Sequence, residues 1–146
     1  MSATVPVLDS LLVEYMSEAV IYADGDGLIR RWNPGAEALL GYTAAEAVGQ
    51  SLDLIIPERL REPHWRGFDA ALARGAAAHG RESRVTKALH KDGEARYVDM
   101  SFAVVLDDGG RAIGSVAVAS DATRRYRDEQ ALRRRLAELE AAAGGH

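Results

Sequence analysis

The 146-residue chain contains no cysteine. Disulfides, a zinc–thiolate site and a thiol nucleophile are thereby excluded. Long apolar runs are also missing: none approaches the ~20 residues that span a bilayer. The N-terminus lacks a basic segment followed by an apolar block, so a cytoplasmic location is expected and a membrane partner is not. Charge of one sign is not in excess, with 18 Lys and Arg against 22 Asp and Glu and a net charge of −4. No basic face dominates, which argues against nucleic acid as the main partner. The sequence offers neither a nucleophile–base constellation nor a phosphate-binding loop, so no enzyme is read from it. What is there suits one soluble domain with a real core, being 47% apolar and 27% charged.

In chain order, Leu8, Leu11, Leu12, Tyr15 and Met16 repeat at helical spacing, which predicts a short amphipathic helix between Pro6 and Ser17. Ala19 to Ala23 and Leu28 to Trp32 read as strands joined by the turn Asp24-Gly25-Asp26-Gly27. Asn33-Pro34 reads as an N-cap followed by Pro at the first helical position, and Gly41 ends that helix. Thr43 to Glu46 has capping-box spacing and starts a further helical turn that stops at Gly49. Later the period becomes two. Arg81 to Leu89 is a strand with Lys91-Asp92-Gly93 as its turn. In the next strand Val98, Met100, Phe102, Val104 and Leu106 share one face. Asp107 to Gly110 makes another hairpin, with Asp107 and Asp108 as turn formers. Ile113 to Ala119, apolar on both faces, is expected at the centre of the sheet. The expected fold is α+β: a five-stranded antiparallel sheet with short helices on one face and a helix at each end. The expected organisation is an N-terminal helix over 1–17, a domain over 18–122 and a C-terminal helix over 123–146.

On that last helix Leu132, Leu136 and Leu139 step by four and three, the seam of a short coiled coil. Arg124, Arg125 and Arg127 lie near its positive end, and Glu138 and Glu140 near its negative end. A helix so charged needs its seam buried against something, and a second copy of the chain is the expected partner.

The stretch from Pro57 to Gly75 carries the chemistry. Pro57 and Pro63 are expected to flank a turn, after which a helix runs to a C-cap at Gly75. His64, Phe68, Ala71 and Leu72 fall on one face of it, with Arg66, Asp69 and Arg74 on the wet side. An imidazole at the head of an apolar stripe needs a hydrogen-bond partner or a metal. His79 and His90, in a loop and beside a turn, read as surface, His146 is terminal, and Trp32 and Trp65 read as packing.

These elements resemble the PAS domain family of sensory modules, from about Leu8 to Tyr126. The likeness is carried by Ala19-Val20-Ile21 before Asp24 to Gly27, Trp32-Asn33-Pro34 with Ala36-Glu37, and Leu40-Gly41-Tyr42. Glu46 to Gly49, Lys91-Asp92-Gly93 and Ser120 to Thr123 add to it. Members that form a flavin adduct or a chromophore thioester need a cysteine, which this chain lacks. The subgroup it looks most like is the haem-binding PAS domains of rhizobial oxygen-sensor kinases. Pro57-Glu58 followed by His64 is similar to that subgroup's signature, in which the histidine is the proximal ligand of haem b. An ungapped alignment to Lys91-Asp92-Gly93 sets Arg84 at the subgroup's distal arginine, which hydrogen-bonds bound oxygen; a cross-strand ion pair with a neighbouring carboxylate is the other reading of Arg84. Met100 and Phe102 fall where it has aliphatic distal walls.

The resemblance thus implies a haem-based sensor of a diatomic gas, oxygen before carbon monoxide or nitric oxide, signalling through terminal helices of a homodimer to an unknown effector. It implies a cofactor pocket of His64, Phe68, Leu72, Arg84, Val98, Met100 and Phe102, with Met100 as an alternative sixth iron ligand. One departure stands out. The subgroup has a base six positions after its histidine to hold a haem propionate, and here that residue is Ala70, leaving Arg66, Arg74 and His79 as substitutes. The rival readings are a cofactor-free dimerisation module and a domain holding flavin or a small organic ligand without a covalent bond.

Overall fold

A computed structural model describes residues 7–76 and 82–144. Strands β1 (Ala19–Asp24), β2 (Ile29–Trp32), β3 (Arg84–Leu89), β4 (Ala95–Leu106) and β5 (Ala112–Asp121) form one antiparallel sheet in the order β2-β1-β5-β4-β3. β5 is the central strand, as its two apolar faces require. Helices α1 (Leu8–Tyr15), α2 (Pro34–Leu40), α3 (Ala44–Ala47), α4 (Glu58–Arg74) and α5 (Thr123–Gly144) complete the fold, with a 3-10 turn at Leu52–Ile55 before α4.

Local chemistry sets the boundaries. The Asp24 carboxylate accepts from the amides of Asp26 and Leu28 and binds Arg30 at 2.8 Å, closing the β1–β2 turn. The Arg30 guanidinium is the main reason that this carboxyl titrates below its ordinary range. Gly27 completes the turn at φ +78°, and a side chain there would collide with the Trp65 ring. Asn33 caps α2, Thr43 and Glu46 form the reciprocal capping box of α3, and Gly41 and Gly75 end α2 and α4 in the left-handed region.

The core lies between the sheet and the helices on one face. Ala19, Ile21, Ala23, Ile29, Trp32, Ala88, Val98 and Ala119 from the sheet meet Ala36, Leu40, Leu52, Ile55 and Phe68. Small residues on the sheet side let the helices approach closely. On the opposite face α5 starts against β4. The Tyr97 and Tyr126 rings stack at 3.8 Å, Arg125 pairs with Asp99 at 3.0 Å, and the Ala122 amide donates to the Tyr97 carbonyl at 2.8 Å.

Three expectations need correction. Pro63 lies inside α4 instead of bounding a turn, because the helix starts at Glu58. It has no N–H to give to the Arg59 carbonyl, and that end of the helix is solvent-facing, so the loss is tolerated. β3 begins at Arg84; Glu82 and Ser83 lie outside the ladder, and Arg81 lies outside the described residues, as do His79 and His146. His90 is not a solvated surface group. Its ring packs over Gly41, where a Cβ would fall 2.6 Å away, and its Nδ1 accepts the Asp92 amide at 3.0 Å.

Asn33 is wholly buried and fully used. Its Oδ1 accepts from the Val20 and Ala36 amides at 2.8 and 3.0 Å, and its Nδ2 donates to the Val13 and Glu18 carbonyls at 2.9 and 3.0 Å. Asn33→Ala loses the cap and strands the Val20 amide, so urea unfolding should show a loss of about 2–4 kcal/mol. A change below about 0.5 kcal/mol would mean that these bonds are replaced by water.

Candidate functional site

A cleft of about 530 Å3 opens between α4 and the inner face of the sheet, within the range of small-molecule and cofactor pockets. Its floor is Ile21, Ala23, Ser115 and Ala117 from β1 and β5. One wall is the strand pair β3–β4, with Arg84, Thr86, Met100 and Phe102. The other is α4, with Leu60, His64, Gly67, Phe68 and Ala71. Leu52, Ile55 and Ile56 close one end, and the exposed Glu82, Arg84 and Thr86 mark the side open to solvent.

Two constraints hold α4 over the sheet. The Trp65 indole N–H donates to the Asp53 carboxylate at 2.7 Å, and Arg61 donates to the carbonyls of Ile56 and Asp53 at 3.1 and 3.3 Å. Aromatic contacts then run from the helix to the strand. His64 meets Trp65 edge-on with centroids 4.8 Å apart, Trp65 meets Phe68 at 5.2 Å, and Phe68 meets Phe102 at 6.5 Å. Helical spacing puts Gly67 and Ala71 on the face of His64, and no atom lies within 4 Å of where a Gly67 side chain would begin. The helix backbone is thus bare toward the cleft.

His64 is half-buried at the cleft wall. Its Nδ1 is buried and has no hydrogen-bond partner, alone in this among the described side chains. Burial lowers the proton affinity of the ring below that of an ordinary histidine, with the Asp53 and Asp69 charges opposing. The imidazole is therefore neutral at pH 7, the form that donates to a metal. Across the cleft, Arg84 is the direct cross-strand partner of Met100, so both side chains leave the sheet toward the cleft side by side.

The structure brings His64, Phe68, Arg84, Met100 and Phe102 together along the cleft. Leu72 and Val98 are elsewhere. Leu72 is one turn beyond Phe68 and packs on the core, while Val98 shares the inward face of β4 with Met100 but sits two residues along it, wholly buried in the core. Arg66 and Arg74 are turned to other uses, pairing with Glu62 at 3.0 Å and with the Ala76 carbonyl at 3.0 Å. The cations lining the cleft, among the described residues, are Arg84 and Lys87. Thr86, Lys87 and Ser115 were missed in the sequence. Thr86 was legible as the next inward position after Arg84 on β3, whereas Ser115 needed the pairing of β5 with β1 and β4.

A family model described as the PAS fold matches residues 13–127. The chain belongs to that family. A 53-residue stretch is 34% identical to sensor protein FixL of Bradyrhizobium diazoefficiens, which is 36% of this chain and 10% of that protein. The structure is similar to a PAS domain from Colwellia psychrerythraea at a TM-score of 0.70, with 22% identity over 80% of this chain and 96% of that one. An RNA-binding light-oxygen-voltage receptor matches at 0.71 and 21% identity, over 94% of this chain and 40% of that one. Among the described residues no helix is long and apolar enough to cross a membrane.

A buried nitrogen without a partner costs stability, so His64→Leu should raise the unfolding free energy of the cofactor-free protein by about 1 kcal/mol. Folding lowers the proton affinity of His64. The unfolded chain therefore protonates there first, and stability falls as pH drops below about 6.5. His64→Leu should remove that part of the pH dependence. Urea unfolding between pH 5 and 8 decides it, and a large loss of stability in the variant would instead make His64 a structural residue.

Proposed function

We propose that this PAS domain holds haem b in the cleft, senses a diatomic gas there, and passes the change to its terminal helices. The observation that supports it best is His64: a neutral imidazole, engaged in no hydrogen bond, heading the apolar face of a helix beside a cofactor-sized cleft. The residues present fit the group. When bound, the haem would supply an iron with an open position for a gas.

Each side chain then has a definite task. His64 offers a nitrogen lone pair from α4. Phe68 and Phe102 wall the cleft and keep water from the reacting face. Gly67 and Ala71 leave room for a flat ring against the helix, which a larger side chain would take. Arg84 is a donor on the opposite wall, able to stabilise negative charge on oxygen. Met100 beside it serves as an apolar wall, with direct ligation as the alternative that the spectrum separates. The Lys87 ammonium stands over the Tyr97 ring, 5.2 Å from its centroid and on the α5 side of the sheet, so it does not replace the base absent at Ala70. A filled core, the rival reading, does not explain a cleft of this volume lined by an unused histidine.

His64→Ala should remove haem from the purified, reconstituted protein while leaving its circular dichroism unchanged. Full haem content and an unaltered Soret band in that variant would overturn the assignment. A spectrum of the unaltered protein with flavin bands, or with the 280 nm peak alone, would overturn haem itself.

Arg84→Ala should weaken oxygen binding by about ten- to a hundred-fold, the value of one charge-assisted hydrogen bond, and carbon monoxide far less. Equal losses for both gases, with a low-spin ferrous spectrum in the parent that Met100→Leu abolishes, would assign the role to Met100.

The terminal helices are proposed to carry the output as a parallel homodimer. Leu132, Leu136 and Leu139 are 69%, 57% and 53% exposed, and Leu8, Leu12 and Tyr15 of α1 are exposed as well, so the apolar seams have no cover among the described residues. Leu132→Asp with Leu136→Asp should convert a dimer to a monomer in light scattering. A monomeric parent at micromolar concentration would remove the dimer from the proposal.

A further inference from the structure

His64 carries a second kind of information, in how its two nitrogens differ. Nδ1 is shut in by protein and meets no partner. Nε2 makes no hydrogen bond either but is not shut in, so the edge of the ring that lines the cleft is the Nε2 edge. A neutral imidazole has one proton for two nitrogens. An N–H buried without an acceptor is the costlier orphan, and an under-used lone pair the cheaper one.

We infer that His64 rests with its proton on Nε2 and that, on the haem reading above, it serves the metal as a bare imidazole without an outer-shell acceptor. A donor bond at Nε2 needs that nitrogen's lone pair. The Nε2 proton therefore leaves to solvent and another is taken up at Nδ1, with no net change in charge. In the usual arrangement the N–H so formed is given to a carboxylate or a backbone carbonyl, which fixes the tautomer and raises the basicity of the ligand. Here no such group is in place. Asp53 and Asp69 act on the ring only as charges, and the Asp53 carboxylate already accepts from the Trp65 indole.

The consequence is a selectivity rule. A bare imidazole pushes less electron density toward the metal than a hydrogen-bonded one. Oxygen takes up charge when it binds and carbon monoxide takes up much less. The proximal side therefore adds little in favour of oxygen, and the discrimination between the two gases falls to the distal residue, Arg84.

Two measurements test this. In the cofactor-free protein labelled with 15N-histidine, the His64 ring nitrogens should report Nε2 protonated and Nδ1 bare at pH 7.5. A protonated, hydrogen-bonded Nδ1 overturns the inference. When the His64→Gly protein is reconstituted with haem in the presence of imidazole or of 1-methylimidazole, whose methyl group can take the place of the removed Cβ, the two should restore haem uptake about equally. A preference for imidazole of about ten- to a hundred-fold would reveal an acceptor for the ring N–H and overturn it. Should the unaltered protein take up no haem, the proposed function fails, while the tautomer still decides the hydrogen-bonding claim by itself. The tautomer also decides it if the glycine variant does not fold.

Discussion

The buried carboxamide of Asn33 is the constraint on which the rest of the arrangement depends. An amide has two donors and two acceptor lone pairs, and here both ends are used. One side chain joins the last turn of α1 and the residue before β1, through Val13 and Glu18, to the start of β1 and the start of α2, through Val20 and Ala36. Gly35, the next residue but one, meets the Glu18 carbonyl so closely that no side chain fits between them. Three elements are thus fixed at one point. The path through α2, α3 and the 3-10 turn then delivers α4 to the open half of the sheet.

That half stays open for reasons of volume and anchoring. β1 and β5 present Ala23, Ser115 and Ala117 to the cleft, too small to reach the helix, and Gly67 and Ala71 of α4 are equally short. The helix cannot slide down to fill the gap, because Trp65 and Arg61 tie it to Asp53 and Ile56. Trp65 also leans on the β1–β2 turn at Gly27. Cavities of this kind lose packing contacts on both walls, so a sequence that keeps one open gives up stability there. An unpartnered buried nitrogen in the same wall adds to that cost. Both features point the same way, toward a place shaped for binding and not for packing.

The contacts at the root of α5 connect this cleft to the opposite face of the sheet. Met100 and Phe102 project into the cleft, while Tyr97 and Asp99, on the alternate positions of the same strand, hold Tyr126 and Arg125. A strand displaced by what fills the cleft would carry the first turn of α5 with it. The period of two in β4 builds both sides of that connection into one segment.

Much of this was determined by the sequence alone. Turn chemistry at Asp24 to Gly27, the caps at Asn33 and Thr43, the alternation of β4 and the two-sided apolar β5 are local signals, so the succession of elements, the central place of β5 and the starts of α2 and α3 followed from them. His64, Phe68, Arg84, Met100 and Phe102 were legible because helical and strand periods place side chains on faces. A period gives the face of an element but not the distance along it at which a neighbour ends. For that reason Val98 and Leu72, on the right faces, lie in the core beside the cleft and not in its wall. Pro63 inside α4 and His90 against Gly41 likewise depended on what surrounds them. The cleft itself, its volume and the bare Nδ1 of His64 were decided only by tertiary structure, since emptiness and a missing partner belong to no single residue. They arise where elements far apart in the chain are held at a fixed separation.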